Sequence, residues 1–201
     1  AAAFVTDERR GAVVYEDCFI LVVDEKIDKV EQILPVLEIV AREGRPLVVV
    51  APEIEGQALA ALVVNTIRGT MKVAAVKAPR YGEERKNIMK DLCLATGAQY
   101  ITRAGGTKLN EVKLTDFGQA KKLDITKNVT TIVGGKGSHQ DVDRRIDALK
   151  TELQQTESMH ECEKIQDRIT RLASSIALIR VGAATEVEMI EKKHRIEDAL
   201  E

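Results

Sequence analysis

The sequence predicts an α/β protein, with a layered β-sheet core flanked by helices, a C-terminal helical hairpin and a terminal helix. Two observations support this class. Short, continuous apolar runs alternate with helical stretches in the first half of the chain, as in a mostly parallel sheet that is buried on both faces. Strand-like runs punctuated by glycine pairs follow, and after them come two amphipathic helical repeats.

The first half of the chain contains three apolar runs that are rich in β-branched residues, as in buried strands. They are CFILVV at 18–23, LVVVA at 47–51 and KVAAV at 72–76. Helices are predicted at about 28–43, 55–68 and 82–97. Gly44 with Pro46 ends the first helix and Gly69 ends the second, because glycine and proline stop helices at these positions.

The segment after these helices changes character. Strand-like runs occupy 98–102, 121–126 and 129–133. One glycine pair, at 105–106, follows the first run, and another, at 134–135, follows the last. We expect additional strands here, in antiparallel pairing, and a second layer.

From Ser138 the apolar residues recur at helical spacing. One stripe is formed by Val142, Ile146, Leu149 and Leu153, and a second by Cys162, Ile165, Ile169 and Leu172. The stripes are joined around 156–158, which predicts an antiparallel hairpin of helices. A strand at 176–181 and a charged helix from about residue 185 are predicted to follow.

Composition excludes several classes of function. Among 201 residues, aromatics make up 3% with no Trp and the net charge is −2, so there is neither a stacking platform nor a basic footprint for nucleic acid. No apolar run approaches the ~20 residues of a membrane span. Three widely separated cysteines, Cys18, Cys93 and Cys162, indicate buried thiols in a reducing compartment. We expect a cytoplasmic protein, with a mitochondrial matrix or plastid stroma as alternatives.

The first two predicted helices carry more apolar residues than one sheet-facing stripe requires. In the helix at 28–43, one face holds Ile33, Val36 and Val40, and an adjacent face holds Val30, Leu34 and Leu37. In the helix at 55–68, the residues assigned to the sheet are Ala58, Leu62 and Ile67, which leaves Leu59, Val63 and Val64 facing elsewhere. Two interpretations remain open. Either other parts of the fold cover these residues, or they form an exposed apolar groove that binds a variable apolar partner.

The run GGKGS at 134–138 lies between a predicted strand and a predicted helix, so a phosphate-binding loop must be considered. A Walker loop requires Lys followed directly by Ser or Thr, whereas Gly137 separates Lys136 from Ser138 here. A turn in which Ser138 caps the next helix is the other interpretation. The histidines are scattered without the spacing of metal ligands. A small-ligand or nucleotide-binding regulatory domain built on 134–138 therefore stays as the alternative function.

Eight segments, distributed in order along nearly the whole chain, carry a family resemblance. They are GAVVYEDCFILVVDEKI, ILPVLE, GRPLVVVA, ALAALVVNTIRG, KVAAVKAP, QDRITRLASS, VGAATEVEM and RIEDAL. Together they resemble a group I chaperonin of the GroEL type. The resemblance implies an apical polypeptide-binding domain at 1–175 and part of an intermediate domain at 176–201.

In that family, an apolar groove between two helices of the apical domain captures non-native polypeptides and the mobile loop of a GroES-type co-chaperonin. The resemblance places apolar groove residues at Leu34, Leu37, Leu59, Val63 and Val64. It places polar groups of the rim at Asn65 and Arg68.

The resemblance further implies that ATP and Mg are cofactors of the full-length parent, whose equatorial domain would flank this chain. The chain itself is then expected to need no cofactor, to be no enzyme and to be chiefly monomeric, whereas the parent forms a seven-membered ring. Asp198 matches a residue that assists ATP hydrolysis in the parent. The hinge of the family, usually a glycine pair, corresponds to Ser174 and Ser175, and Arg80 and Tyr81 stand where Gly and Phe are more common.

Overall fold

A computed structural model describes residues 12–106, 108–126 and 129–173, together with the backbone of 176–180. The strands are β1 Val13–Val23, β2 Leu47–Ala51, β3 Val73–Lys77, β4 Tyr100–Ile101, β5 Gly118–Ile125, β6 Val129–Gly135 and β7 Ile176–Arg180. The helices are α1 Val30–Glu43, α2 Gly56–Ile67, α3 Gly82–Thr96, α4 His139–Gln155 and α5 Met159–Ala173. Two short 3-10 turns occupy Leu109–Glu111 and Leu114–Asp116. The predicted α/β class is confirmed.

One sheet of seven strands runs through the molecule in the order β3-β2-β1-β5-β6-β7, and β4 pairs with the end of β1. Strands β1, β2 and β3 are parallel to one another. Strands β5, β6 and β7 are antiparallel to their neighbours. The expectation of a parallel first half is confirmed. Of the three added strands, β5 and β6 are antiparallel as expected, whereas β4 pairs parallel to β1. All three extend the same sheet, so the expectation that they form a second layer is wrong.

Helices cover both faces of this sheet. The two successive crossovers β1-α1-β2 and β2-α2-β3 proceed in the same direction across the sheet, and their right-handedness places α1 and α2 on one face. The chain then returns from β3 to β4 beside β1, which places α3 on the opposite face, where α4 and α5 contact it.

The core is divided into two clusters. The large cluster surrounds the parallel strands and includes Ile20, Leu21 and Leu47, all fully buried. The small cluster lies inside the α4–α5 hairpin and comprises Leu149, Ile165, Ile169 and Leu172, with Val142, Ile146 and Leu153 packed against it. The predicted hairpin is confirmed, and its apolar stripes face each other.

A buried ion pair fastens the hairpin to α3. The carboxylate of Asp91 accepts hydrogen bonds from Nε and Nη2 of Arg168, at 2.7 and 3.0 Å, and from Nη1 of Arg145, at 2.8 Å. Asp91 is buried, and its hydrogen bond raises the pKa of Arg168 above its usual range. One residue of α3 therefore joins both helices of the hairpin.

Strand β1 begins at Val13, earlier than the apolar run at 18–23 predicts. The added residues pair with β5 and include the exposed Glu16 and Asp17, which break the apolar run. Asp17 has a positive φ of 47°, and its carbonyl oxygen accepts a 2.8 Å hydrogen bond from Nε of Arg45. A backbone irregularity held by a distant arginine leaves no periodic signal in the sequence.

Candidate functional site

Backbone pairing between two loops positions the amino-terminal ends of α1 and α2. Ile27, before α1, and Ile54, before α2, form a parallel bridge. The N–H of Ile27 donates to the carbonyl of Glu53, and the N–H of Glu55 donates to the carbonyl of Ile27, both at 2.9 Å. At Gly56, which has φ +59°, a Cβ would lie only 3.1 Å from a backbone carbonyl of the first loop. The two helices therefore start from one connected frame and contact each other.

The outer faces of α1 and α2 expose aliphatic side chains. Leu34 on α1 is 48% exposed and Val64 on α2 is 43% exposed. Leu59 and Val63 are half-buried against the core. We call these four residues the α1–α2 surface. Large aliphatic side chains left exposed on two contacting helices are the kind of patch that marks binding surfaces on proteins.

Leu37 does not belong to this surface. The helical pattern left it without an intramolecular partner, but the structure buries it to 4% exposure in the main core. The 3-10 turn at Leu109–Glu111 packs on α1, and Leu109 is buried in the same cluster as Leu37. The interpretation that other parts of the fold cover the surplus residues is thus correct for Leu37, and the assignment of Leu37 to an open groove needs correction.

The prediction for Ile67 is wrong in the opposite sense, since a residue expected to be buried is exposed. The sequence pattern assigned it to the sheet, whereas its side chain is 61% exposed. Ala58 and Leu62 do face the core, as predicted. The inward position of the last turn is taken by Thr66, whose hydroxyl donates a 3.0 Å hydrogen bond to the carbonyl of Val73. Ile67 is one residue further along the helix and is turned outward.

The two predicted rim residues differ in their surroundings. The Asn65 amide donates a 2.7 Å hydrogen bond to the carbonyl of Ala61 on its own helix. The hydroxyl of Thr70 donates to the backbone carbonyl oxygen of Asn65 and to its side-chain oxygen, at 3.0 and 3.3 Å. Arg68, at the end of α2, is exposed. The amide of Asn65 is therefore engaged within the domain, and Arg68 is the more accessible polar group.

The glycine-rich loop before α4 is built for close packing. The N–H of Lys136 donates to the carbonyl of Gln119 at 2.9 Å, and that of Gly137 donates to the carbonyl of Ala95 at 3.0 Å. A Cβ on Gly137 would collide with backbone atoms at the end of α3. These two donors already have partners inside the protein, so they cannot cradle a phosphate as a P-loop does.

Ser138 caps α4, as the second interpretation of the loop predicts. Its Oγ accepts a 3.3 Å hydrogen bond from the N–H of Asp141. Within residues 12–106, 108–126 and 129–173, His, Cys, Asp and Glu form no group of three that could hold a metal ion. The described geometry thus favours packing and helix capping over ligand chemistry at this loop.

The cysteines have the character of packed thiols. Burial raises the pKa of Cys18 to about 11 and that of Cys93 to about 12. Cys162 is half-buried, and its thiol donates to the carbonyl of Thr156 at 3.6 Å. Because the thiolate is the reactive form, Cys18 and Cys93 are unsuited to nucleophilic chemistry near neutral pH.

Several predicted residues lie outside the described part of the chain. They are the hinge pair Ser174 and Ser175, and also Asp198. The strand predicted at 176–181 is present as β7, which pairs with β6 and continues the sheet across the predicted domain boundary at 175. The hinge and the boundary stay predictions.

Two further findings complete the description. In the part that the structure describes, none of the helices is long and apolar enough to cross a membrane. Residues 23–201 match the model of the TCP-1/cpn60 chaperonin family. The match covers most of the chain and includes β2, β3 and every helix described above. The chain therefore belongs to the TCP-1/cpn60 chaperonin family, whose members are chaperones.

Proposed function

We propose that this chain is the substrate-binding, apical part of a group I chaperonin of the GroEL type. Its α1–α2 surface would bind non-native polypeptides and the mobile loop of a GroES-type co-chaperonin. The observation that carries the proposal is the exposure of Leu34 and Val64 on two contacting helices, with Leu59 and Val63 half-buried beside them. Family membership supports a chaperone role, and this surface is where such a role has a physical basis.

The chemistry of the surface suits partners of varied sequence. Helix α2 carries no charged residue from Gly56 to Ile67, so it offers little basis for selecting one charge pattern. Aliphatic side chains gain free energy from any apolar group that they remove from water, at roughly 25 cal/mol per Å². A non-native polypeptide exposes such groups, whereas a folded protein buries most of them.

The affinity of one copy should be modest. Burial of a whole Leu side chain contributes about 1.5–3 kcal/mol. Ordering a flexible peptide costs about 0.5–1.5 kcal/mol for each immobilised side chain and offsets much of that gain. A dissociation constant on the order of micromolar follows for a single surface. A ring that presents several copies would bind one long polypeptide more tightly through multivalency.

The proposed domain layout follows the resemblance. Residues 1–175 would form the apical domain and residues 176–201 part of the intermediate domain, with Ser174 and Ser175 at the hinge. ATP and Mg would act in the full-length parent, a seven-membered ring, and this chain alone would neither bind nor hydrolyse ATP. The engaged donors at Lys136 and Gly137 support this part of the proposal.

The experiment is a calorimetric titration with an unfolded, amphipathic peptide in the absence of ATP. The double change Leu34→Ser with Val63→Ser should weaken binding by about tenfold or more, because it removes two aliphatic contacts. The control is Met159→Ser, which removes an exposed apolar side chain from α5, away from the α1–α2 surface. Equal affinity of the double variant and the parent would refute the assignment of the surface. ATP titrated in parallel should give no binding heat.

A further inference from the structure

Ile67 is the most exposed large hydrophobic residue on α2, at 61%. Backbone hydrogen bonds close the turn at this end of the helix. The N–H of Arg68 donates to the carbonyl of Val64 at 3.0 Å, and that of Gly69 donates to the carbonyl of Thr66 at 3.1 Å. The core does not use Ile67, because Thr66 occupies the inward position of this turn through its hydrogen bond to Val73. A β-branched apolar side chain is thus exposed to solvent at the hydrogen-bonded end of a helix.

The helix geometry makes Ile67 continuous with the α1–α2 surface. At about 100° per residue, Ile67 lies about 40° beyond Val63 and about 60° short of Val64 around the helix axis. Leu59, Val63 and Ile67 follow one another at intervals of about 6 Å along the axis. They form an apolar row on α2 that widens toward Val64.

Nothing charged interrupts this row. The helix carries no acidic residue in its first turn and no basic residue in its last turn, and the first charged side chain beyond Ile67 is Arg68. The spacing of about 6 Å is close to the separation of alternate side chains on one face of an extended chain, about 6.6 Å. An uncharged row with this spacing is complementary to an apolar segment. It offers a charged segment no group of opposite charge to bind.

We propose that Ile67 is a third contact position on α2 and selects apolar segments that present three large side chains in sequence. This inference rests on the proposed function and specifies its partner. The occupant is a stretch of non-native polypeptide in an extended conformation, with aliphatic or aromatic residues at alternate positions. The third residue of that set contacts Ile67.

The test couples a change in the protein to a change in the probe. The probes are two fluorescein-labelled peptides of leucine and threonine, one with three leucines at alternate positions and one in which the last leucine is serine. Fluorescence anisotropy measures their affinities for the parent chain and for Ile67→Ser. Loss of the third leucine should weaken binding to the parent by about three- to tenfold and should change binding to Ile67→Ser by less than about twofold.

Three further variants make the result decisive. Ile67→Val should keep most of the affinity, and Met159→Ser, which alters a comparably exposed apolar side chain on α5, should keep all of it. If Val64→Ser weakens binding and Ile67→Ser does not, Ile67 is not a contact and the proposed function stands. If neither change weakens binding, both proposals are wrong. Circular dichroism confirms that each variant is folded.

Discussion

Replacing Asp91 by asparagine tests how the α4–α5 hairpin is attached to the rest of the protein. The change keeps the size of the side chain and removes the charge that pairs with Arg145 and Arg168. Removing one partner of a buried ion pair typically costs 3–5 kcal/mol, because the remaining charge stays buried without compensation. The side chain of Arg168 is 14% exposed and that of Arg145 is 33% exposed, so only Arg168 is left largely without water. We therefore expect a loss of stability at the lower end of this range, about 3 kcal/mol.

The loss should be local. The hairpin has its own small apolar cluster, separate from the main core, and both of its helices contact α3, where they pair with Asp91. Amide hydrogen exchange followed by mass spectrometry should show faster exchange in α4 and α5. If 3 kcal/mol is lost from the opening free energy, exchange there accelerates by about a hundredfold. Peptides from β1, β2, α1 and α2 should exchange as in the parent.

The matched control is Asp167→Asn, which neutralises an exposed aspartate beside Arg168 on α5. It should leave exchange nearly unchanged, because exposed charges contribute little to stability. If Asp91→Asn accelerates exchange equally in every element, the hairpin is not a separate unit. If it accelerates exchange nowhere, the ion pair does not fasten the hairpin.

Two further predictions concern stability. Arg80 has φ +61°, a conformation that is costly for any residue with a Cβ. Arg80→Gly should therefore raise the free energy of unfolding, measured by urea titration, by about 0.5–1 kcal/mol. Arg80→Ala, which keeps a Cβ, should not raise it. A stabilising effect of the alanine variant would show that the backbone conformation is not the cause. Burial raises the pKa of Cys18 to about 11 and that of Cys93 to about 12, from 9.0 for a free thiol. The unfolded state therefore loses these two protons at a lower pH than the folded state does. Stability should therefore fall as the pH rises from about 9 to about 11, and the slope should be smaller in Cys93→Ala; an equal slope would contradict this assignment.

The fold follows closely from local patterns, and its departures have identifiable causes. The apolar runs predict β2 and β3 because β2 is buried on both faces and β3 is buried or partly buried along its length. The hairpin follows from two regular stripes. The early start of β1 is missed because the exposed, charged Glu16 and Asp17 interrupt the apolar run. The backbone irregularity there, a positive φ at Asp17 with its carbonyl bonded by Arg45, has no local signal in the sequence.

The candidate site was predictable only in part. Leu34 and Val64 are exposed as the surplus of apolar residues indicates, but Leu37 is buried on a helix against which a turn distant in sequence packs. The exposure of Ile67 depends on one hydroxyl, that of Thr66, occupying the inward position of the last turn. A helical wheel drawn with Thr66 facing inward would have found it.

The most direct test of polypeptide binding on the α1–α2 surface is a methyl NMR footprint of an unfolded polypeptide bound to this chain without ATP. If polypeptide binds the α1–α2 surface, the methyl resonances of Leu34, Val63 and Val64 should shift or broaden on binding. The buried methyl groups of Leu149 and Ile165 in the hairpin should stay unchanged. A footprint centred on α4 and α5, with the resonances of α1 and α2 unperturbed, would contradict the proposal that the chain binds polypeptide on its α1–α2 surface.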